Sequence, residues 1–305
     1  MRMAISSNKI LSIVLFPIIE FVRFLGREYP VFLVKIRYFF RFKKKLDLDN
    51  PKTLNEKILY QSLKTDCRLR TQLTDKWKVR KYVEDCGLSD ILVELYGVWG
   101  DANDIDFEQL PANFVLKPNH GSGNVIFIKD KHHINESKIK NTLNKDLRKV
   151  YGELEGGVHY YDIDPVVIAE ELLLNDSISE KYSSSIIDYK IWCFNGKAYY
   201  IWTCSNRNKY STEVMTYDRQ WNRHPEFSVF NEHYKEGDPL PMPKSLEKML
   251  YVAEILSKPF SVVRVDLYNI EGKIYFGEMT FTSLGGMMDF YTQEFQNHAG
   301  SLIKL

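Results

Sequence analysis

Cysteine is scarce in this chain, with four residues in 305 and none in a C-x-x-C pair. These cysteines do not form a disulfide framework and are typical of small buried thiols in a reducing compartment. The seven histidines lack the spacing of a metal motif, and the net charge is only +1. The sequence offers no Ser-His-Asp or Cys-His candidate for nucleophilic catalysis, and we expect no nucleic-acid partner.

A hydrophobic run long enough to span a bilayer is also missing. The most apolar stretch, residues 10–22, is too short and contains Pro17 and Glu20, and it lacks the cleavage site of a secretory signal. Residues 1–46 nevertheless hold ten Lys or Arg and two Glu, and aromatic and basic residues interleave in "VFLVKIRYFFRFKKK". This composition predicts peripheral contact with anionic lipid by a cytoplasmic protein at the inner face of the cell membrane. The alternative is that both stretches pack on the main body.

The remaining chain mixes helices and strands, and its strands come mainly in hairpins. The length suggests two or three lobes. Helical spacing follows Thr53, and a second amphipathic helix is predicted over "LTDKWKVRKYVEDCGL", ending at Gly87. Asn195-Gly196 is a strong hairpin signal. The absence of strict βαβ alternation favours an α+β fold over a doubly wound sheet.

Residues 263–281 predict a hairpin turning at Gly272, with Asp266 and Glu278 facing each other on its polar side. Like charges directly opposite destabilise a sheet. The pair therefore indicates either a Mg²⁺ site, since Mg²⁺ takes one or two protein carboxylates, or a solvated face with Arg264 paired to one acid. The alternation assigns Gly277, Met279 and Phe281 to the apolar face, and Phe276, Glu278 and Thr280 to the polar face.

Two further segments suggest nucleotide chemistry. In "FVLKPNHGSGN" a strand delivers Lys117 to a loop whose glycines let backbone N–H groups approach phosphate, although the segment is not a Walker A motif. In "VVIAEELL" a buried strand ends in Glu170, which can accept a hydrogen bond from an adenine amine. An ordinary hairpin loop and a strand emerging into solvent are the alternatives.

Together with "TDKW" and "DYK", these segments resemble the TupA-like branch of the ATP-grasp superfamily, from about residue 53 to the C-terminus. The resemblance implies an ATP-grasp fold with ATP between two lobes, and ATP with one or two Mg²⁺ ions as cofactors. Arg264 and Lys117 are the implied catalytic residues, supporting an acyl-phosphate and the nucleotide phosphates. The implied metal ligands are Asp266, Glu278 and Thr280, the last standing where many members have Asn.

The resemblance also implies an ATP-binding set. Lysines would contact the phosphates, the loop at residues 120–124 would close over them, and residues 170–173 would read adenine. The implied ATP-binding residues are Lys76, Lys117, His120, Gly121, Ser122, Gly123, Glu170, Glu171, Leu172, Leu173 and Lys190.

This reading divides the chain into four segments: an extension at 1–50, an N-terminal lobe at 51–110, a central subdomain at 111–180 and a C-terminal lobe at 181–305. It predicts a ligase of bacterial surface-polysaccharide biosynthesis, which joins a glycan carboxylate, such as a uronic acid, to an amine such as an amino acid. Residues 201–213 would bind the acceptor, with Trp202 stacking on a sugar and Arg207 or Lys209 binding a carboxylate, and the alternative for this segment is a plain surface loop. The alternatives are a glycosyltransferase using a nucleotide sugar and a nucleotide-binding module without catalysis.

Overall fold

The computed structural model describes residues 9–305, with side chains from residue 16 onward, so residues 1–8 of the predicted basic extension lie outside the described part. The helices are α1 (Lys9–Glu28), α2 (Pro30–Phe42), α3 (Leu54–Lys64), α4 (Arg68–Thr74), α5 (Val79–Asp85), α6 (Glu136–Leu147), α7 (Leu246–Ser257) and α8 (Gln293–Leu302). The strands are β1 (Leu95–Trp99), β2 (Phe114–Pro118), β3 (Ile126–Ile128), β4 (Val167–Glu170), β5 (Asp188–Phe194), β6 (Lys197–Ser205), β7 (Thr212–Asp218), β8 (Tyr234–Glu236), β9 (Val262–Ile270) and β10 (Lys273–Thr280).

The strands form two sheets in the described part of the chain. The smaller sheet has the order β1-β4-β2-β3 and is antiparallel throughout. The larger sheet has the order β10-β9-β5-β6-β7-β8, and only the β7–β8 pair is parallel. Antiparallel sheets with separate helices confirm the predicted α+β class. The division into four segments stays a prediction.

Local sequence signals explain several boundaries. Thr53 caps α3 in a capping box, where its hydroxyl accepts from the Glu56 N–H and the Glu56 carboxylate accepts from the Thr53 N–H. At the β5–β6 turn Asn195 and Gly196 both adopt positive φ, of 50° and 74°, which confirms the predicted hairpin. The helix predicted over residues 73–88 is wrong in one respect, because it is broken between α4 and α5.

The cause of that break is Asp75. Its Oδ1 accepts from the N–H groups of Trp77, at 2.8 Å, and of Lys78, at 3.1 Å, and these bonds stabilise a turn instead of a continuous helix. The Lys76 N–H donates to the Asn119 carbonyl at 3.0 Å. The turn therefore fixes Lys76 beside the loop that follows β2.

The β9–β10 hairpin pairs Asp266 with Glu278, as predicted, but the pairing results from a bulge and not from a turn centred on Gly272. The turn has two residues, and a register shift between Phe276 and Glu278 moves the pairing by one position. This bulge at Gly277 also reverses the face of the preceding residues. Phe276 is 6% exposed and packs in the core with Ile274, so its predicted place on the polar face is wrong.

The larger sheet carries a core on each face. On one face β5, β6 and β9 pack with α5 and α7 around Ile191, Val263 and Val265. On the other face Trp192 and Phe194 pack with α3 and α8. Because side chains alternate along a strand, Lys190 lies on the same face as Trp192. The polar residues of β5 and β9 therefore border an aromatic core.

Helices α1 and α2 have two different faces. Leu33, Val34 and Tyr38 are buried, and Val34 and Tyr38 pack with Leu59 and Met287, so the inner face of α2 lies on the main body. Aromatic side chains of the outer face remain exposed. Among the described residues, no helix is both long and apolar enough to cross a membrane.

Candidate nucleotide and metal site

The centre of the site is a buried ion network on β9 and β5. Arg264 donates two hydrogen bonds to the Asp266 carboxylate, from Nε to Oδ1 and from Nη2 to Oδ2, each 2.7 Å long. The Lys190 Nζ reaches Asp266 Oδ2 at 2.6 Å, because the sheet register places these two residues opposite each other. Burial acts to raise the pKa of Asp266, but Arg264 and Lys190 outweigh it and hold the pKa below its usual value.

This network changes the interpretation of the facing carboxylates. Asp266 is 2% exposed and already neutralised by Arg264 and Lys190, so its pairing with Glu278 does not need a metal to be tolerated. The structure thus contains the Arg264 pairing that the sequence left as an alternative. Arg264 also donates from Nη1 to Ser283 Oγ at 2.7 Å and from Nη2 to Thr280 Oγ1 at 3.1 Å.

The sequence analysis missed Asp188 as a member of this network, and it assigned Arg207 to the acceptor instead. Asp188 lies 3.4 Å from the Lys190 Nζ and accepts a hydrogen bond from Arg207, whose loop follows β6. Burial acts to lower the pKa of Lys190, whereas Asp188 and Asp266 raise it, with a net increase. The spacing Asp-x-Lys in β5 could have predicted the contact of Asp188 with Lys190, because residues two apart in a strand lie on the same face.

Glu278 occupies the edge of the network. Its side chain is 39% exposed, with Oε2 3.7 Å from the Lys76 Nζ and Oε1 3.9 Å from the Arg264 Nη2. The Thr280 hydroxyl donates to Oε1 at 3.2 Å. Burial lowers the pKa of Lys76, Lys117 lowers it further, and Glu278 opposes both. Lys76 therefore lies between the carboxylates of the larger sheet and the lysine of the smaller one.

On the smaller sheet, Lys117 and Glu170 form an ion pair with an Nζ–Oε2 distance of 2.5 Å. The other carboxylate oxygen of Glu170 lies 3.3 Å from Arg80 Nη1, a contact that the sequence analysis missed. Strands β2 and β4 are neighbours, so the sheet itself brings these side chains together. Glu170 is 7% exposed. Its predicted contact with adenine stays a prediction, and any ligand there would meet a carboxylate already paired with two cations.

The glycine-bearing loop after β2 is anchored from both sides. The Lys76 Nζ donates to the Gly121 carbonyl at 2.8 Å. Gly121 and Gly123 have positive φ, of 81° and 84°, which favours glycine, and a side chain on Gly121 would come within 2.8 Å of Tyr151. His120 is buried, and its Nε2 contacts the Lys149 carbonyl at 3.0 Å. Its ring therefore supports the loop.

The predicted acceptor segment is placed differently from expectation. Trp202 is 4% exposed and stacks on Phe290, with ring centroids 4.5 Å apart, so its predicted stacking on a sugar is wrong. Its position on β6 turns the ring into the core. Arg207 is held by Asp188, and the exposed Lys209 lies 5.7 Å from the Tyr210 ring centroid. Binding of a carboxylate by either residue stays a prediction.

The donor set at the sheet edge fits Mg²⁺. Asp266 and Glu278 carry hard oxygen ligands on paired strands, and the exposed Glu278 is accessible to an ion. Both oxygens of Asp266 are bonded to Arg264 and Lys190, so one of these bonds would have to break before Asp266 could bind Mg²⁺. Among residues 9–305 no group of three or more His, Cys, Asp or Glu side chains is placed to hold a metal. Since Mg²⁺ commonly completes its shell with phosphate oxygens and water, two carboxylates are a suitable protein contribution. The hydroxyl of Thr280 stays a predicted third ligand.

Within the ion-pair network described above, six cations contact four carboxylates. Such an excess attracts an anion with several charges, and lysines and arginines bind phosphate oxygens directly. The carboxylates are Glu170, Asp188, Asp266 and Glu278, and the cations that contact them are Lys76, Arg80, Lys117, Lys190, Arg207 and Arg264.

Comparisons with known proteins give one sequence-level match. A family model described as "TupA-like ATPgrasp" matches residues 56–304, well over half of the 305-residue chain. Among curated proteins there is no match. The matched region contains both sheets and all the charged residues described above.

Several solved structures are similar in part. The D-alanine–D-alanine ligase of Bacillus anthracis is 16% identical over 76% of this chain and 64% of its own, with a TM-score of 0.44. The L-amino acid ligase of Bacillus licheniformis is 13% identical over 89% and 57%, with a TM-score of 0.47. The biotin carboxylase of Campylobacter jejuni is 12% identical over 78% of this chain and 48% of its own, with a TM-score of 0.43. The chain spans less than two thirds of the length of each of these proteins.

Proposed function

This chain belongs to the TupA-like ATP-grasp family, and from that membership we propose that it is an ATP-dependent ligase joining a carboxylate to an amine. The observation that supports the proposal is the position of Lys76. Its ammonium contacts the Gly121 carbonyl of the loop after β2 and faces Glu278 of the larger sheet. A polyphosphate lying between the sheets would meet Lys76 together with Lys117 on one side and Arg264 on the other.

The proposed reaction has two steps. A substrate carboxylate oxygen attacks the γ-phosphorus of ATP, the bond from that phosphorus to the β-phosphate oxygen breaks, and ADP leaves. An amine nitrogen then attacks the carbonyl carbon of the acyl-phosphate, the carbon–oxygen bond to phosphate breaks, and the nitrogen loses a proton to water. Neither step needs a protein nucleophile. Catalysis depends on positioning and on neutralising negative charge.

The residues divide this work by their placement. Lys76 and Lys117 bind phosphate oxygens, and displacement of Lys117 from Glu170 would let it turn to the nucleotide. Arg264, held rigidly by Asp266 and Ser283, neutralises charge on the acyl-phosphate. Asp266 and Glu278 would hold Mg²⁺, which supplies charge neutralisation on the phosphates when bound.

For substrates, we propose a uronic acid carboxylate of a bacterial surface glycan or its precursor, and an amino acid amine. Support comes from the family resemblance and from the exposed basic residues near the site. Arg207 reaches the network through Asp188, and Lys209 lies two residues further along the same loop. A carboxylate bound there would approach the network from the β6–β7 side of the sheet.

The test is a screen for ADP release from Mg-ATP, with candidate uronic acids and amino acids supplied together and any amide detected by mass. ADP release that requires both substrates, with the corresponding amide, supports the proposal. Loss of the signal in Lys117→Ala, with retention in Lys131→Ala, would localise it. The Lys131 ammonium contacts residues 107–110 and none of the charged residues of the candidate site. Binding of a UDP-sugar without any binding of ATP would instead favour a glycosyltransferase.

A further inference from the structure

The outer face of helices α1 and α2 exposes large aromatic side chains. Phe40 is 67% exposed, Phe21 59% and Phe32 56%, and Phe24 and Phe39 are exposed by almost half. Scattered single hydrophobics are normal on a protein surface, but a contiguous apolar patch marks an interaction site.

Helix geometry places them in stripes. In α2 the exposed residues Phe32, Ile36, Phe39 and Phe40 recur at i, i+4, i+7 and i+8, the spacing of one helical face. In α1, Phe21 and Phe24 are three residues apart on an exposed face. The exposed Tyr29 lies between the two helices, and its ring centroid is 6.0 Å from that of Phe24.

Positive charge flanks the stripe of α2. Residues 30–45 contain six Lys or Arg and no acidic residue. Lys35, Lys43 and Lys45 are exposed, and within the described chain none of them forms a salt bridge. The Lys43 Nζ lies 5.7 Å from the centroid of the Phe40 ring, so charge and apolar surface are adjacent.

The opposite face of the helices is fixed to the protein. Arg27 lies 3.3 Å from the Glu153 carboxylate, Arg37 donates to the Leu154 carbonyl, and Tyr161 donates to the Gly26 carbonyl at 2.9 Å. Gly26 approaches Glu153 so closely that a side chain there would collide with its carbonyl. The aromatic face is therefore presented outward and cannot turn inward without breaking these contacts.

We propose that this aromatic and basic face docks on the surface of an anionic lipid bilayer. Phenylalanine side chains would insert at the headgroup boundary while Lys35, Lys43 and Lys45 contact lipid phosphates. A second copy of the chain is a poorer occupant, because two such faces would bring like charges together. This inference is independent of the proposed reaction, since none of its residues belongs to the nucleotide site.

The test is flotation of the purified full chain with vesicles of phosphatidylcholine, with or without phosphatidylglycerol. We expect binding that requires phosphatidylglycerol and weakens as salt rises. Replacing Lys35, Lys43 and Lys45 by Gln should weaken binding by roughly fivefold per lysine. The variant Phe32→Ser/Phe40→Ser should weaken it at least as strongly, because it removes two inserted rings.

Matched surface variants provide the control. Tyr251→Ser changes an exposed residue within α7, and Lys244→Gln changes an exposed residue just before it. Neither residue belongs to the aromatic and basic face, so both variants should bind vesicles as the unchanged protein does. Absence of binding to phosphatidylglycerol vesicles would overturn the proposal. Equal binding by the lysine variant and the unchanged protein would also overturn it. So would an unchanged protein that does not bind vesicles and forms a dimer, if the Phe32→Ser/Phe40→Ser variant is monomeric. The lysine variant is a surface change, so its result does not depend on folding of the phenylalanine variant.

Discussion

The Lys190 ammonium lies 2.6 Å from the Asp266 carboxylate on the adjacent strand, in a part of the sheet where both side chains are buried. Arg264 holds the same carboxylate with two further bonds. Asp266, which the resemblance assigns to magnesium, is therefore also a member of a buried structural ion pair. Substitutions in this network should affect stability as well as activity, and the two effects must be measured separately.

Replacing Lys190 by Met should lower the free energy of unfolding by about 3 kcal/mol, because breaking a buried pair leaves Asp188 and Asp266 less well compensated. Urea unfolding measures the change. Lys197→Met is the matched control, since Lys197 is exposed on the neighbouring strand and should change stability by less than about 0.5 kcal/mol. Equal effects of the two substitutions would contradict the structural role of Lys190.

Replacing Lys76 by Ala should reduce ATP-dependent phosphate release by about a hundredfold or more, since one charge-stabilising donor in a preorganised site contributes about that much. Lys78, two residues away, pairs with the exposed Asp164 instead. Lys78→Ala should therefore keep most of the activity. Steady-state rates under saturating Mg-ATP, with the substrates that the screen identifies, make the comparison. A large loss in Lys78→Ala alone would count against the assignment of Lys76.

Gly277→Ala should disturb the bulge that pairs Glu278 with Asp266. An added Cβ would lie 2.9 Å from the Asp266 carbonyl oxygen and 3.3 Å from the Tyr268 ring. We expect a loss of unfolding free energy of about 1–3 kcal/mol, as for other overpacked sites, together with weaker Mg²⁺ dependence of ATP binding. Gly100→Ala is the control, because no atom lies within 4 Å of its added Cβ. Calorimetric titration with Mg²⁺ present or absent provides the second readout.

His159 should make stability depend on pH. It is fully buried, and burial lowers its pKa to about 3, against about 6.5 in the unfolded chain. Between these values the unfolded chain binds a proton that the folded chain does not, so stability rises with pH. The contribution is complete above about pH 6.5 and is lost as pH falls toward 3.

The measurement compares urea unfolding of the unchanged protein with His159→Gln across this interval. Their difference should change by about 1.4 kcal/mol per pH unit, with the unchanged protein gaining stability as pH rises. His132→Gln, at an exposed position, should show no comparable slope. A pH-independent difference for His159→Gln would show that His159 is protonated in the folded state as well.

The sequence was informative where a local rule determines structure. Alternation placed Asp266 and Arg264 on one face, Asn195-Gly196 specified a hairpin, and Thr53 marked the start of a helix. These features depend on residues close together in the chain, for which spacing is a sufficient guide. The family resemblance then ordered the charged residues into one site, which neither periodicity nor composition could do.

Long-range contacts were the part that sequence could not supply. The pairing of Lys190 with Asp266 depends on strand order in the larger sheet, and the contact of Arg80 with Glu170 joins elements ninety residues apart in the chain. The sequence analysis assigned Trp202 to a sugar in the predicted acceptor segment. Its burial against Phe290 follows from packing of the loop before α8, which has no local signal in β6.

The segment 151–157 supports two distant parts of the molecule at once. Tyr151 lies against Gly121 of the loop after β2, while Glu153 and Leu154 contact the amino-terminal helices through Arg27 and Arg37. The aromatic face and the loop after β2 are thus both supported by one short stretch of chain. A substitution within residues 151–157 would therefore disturb the amino-terminal helices and the loop after β2 together.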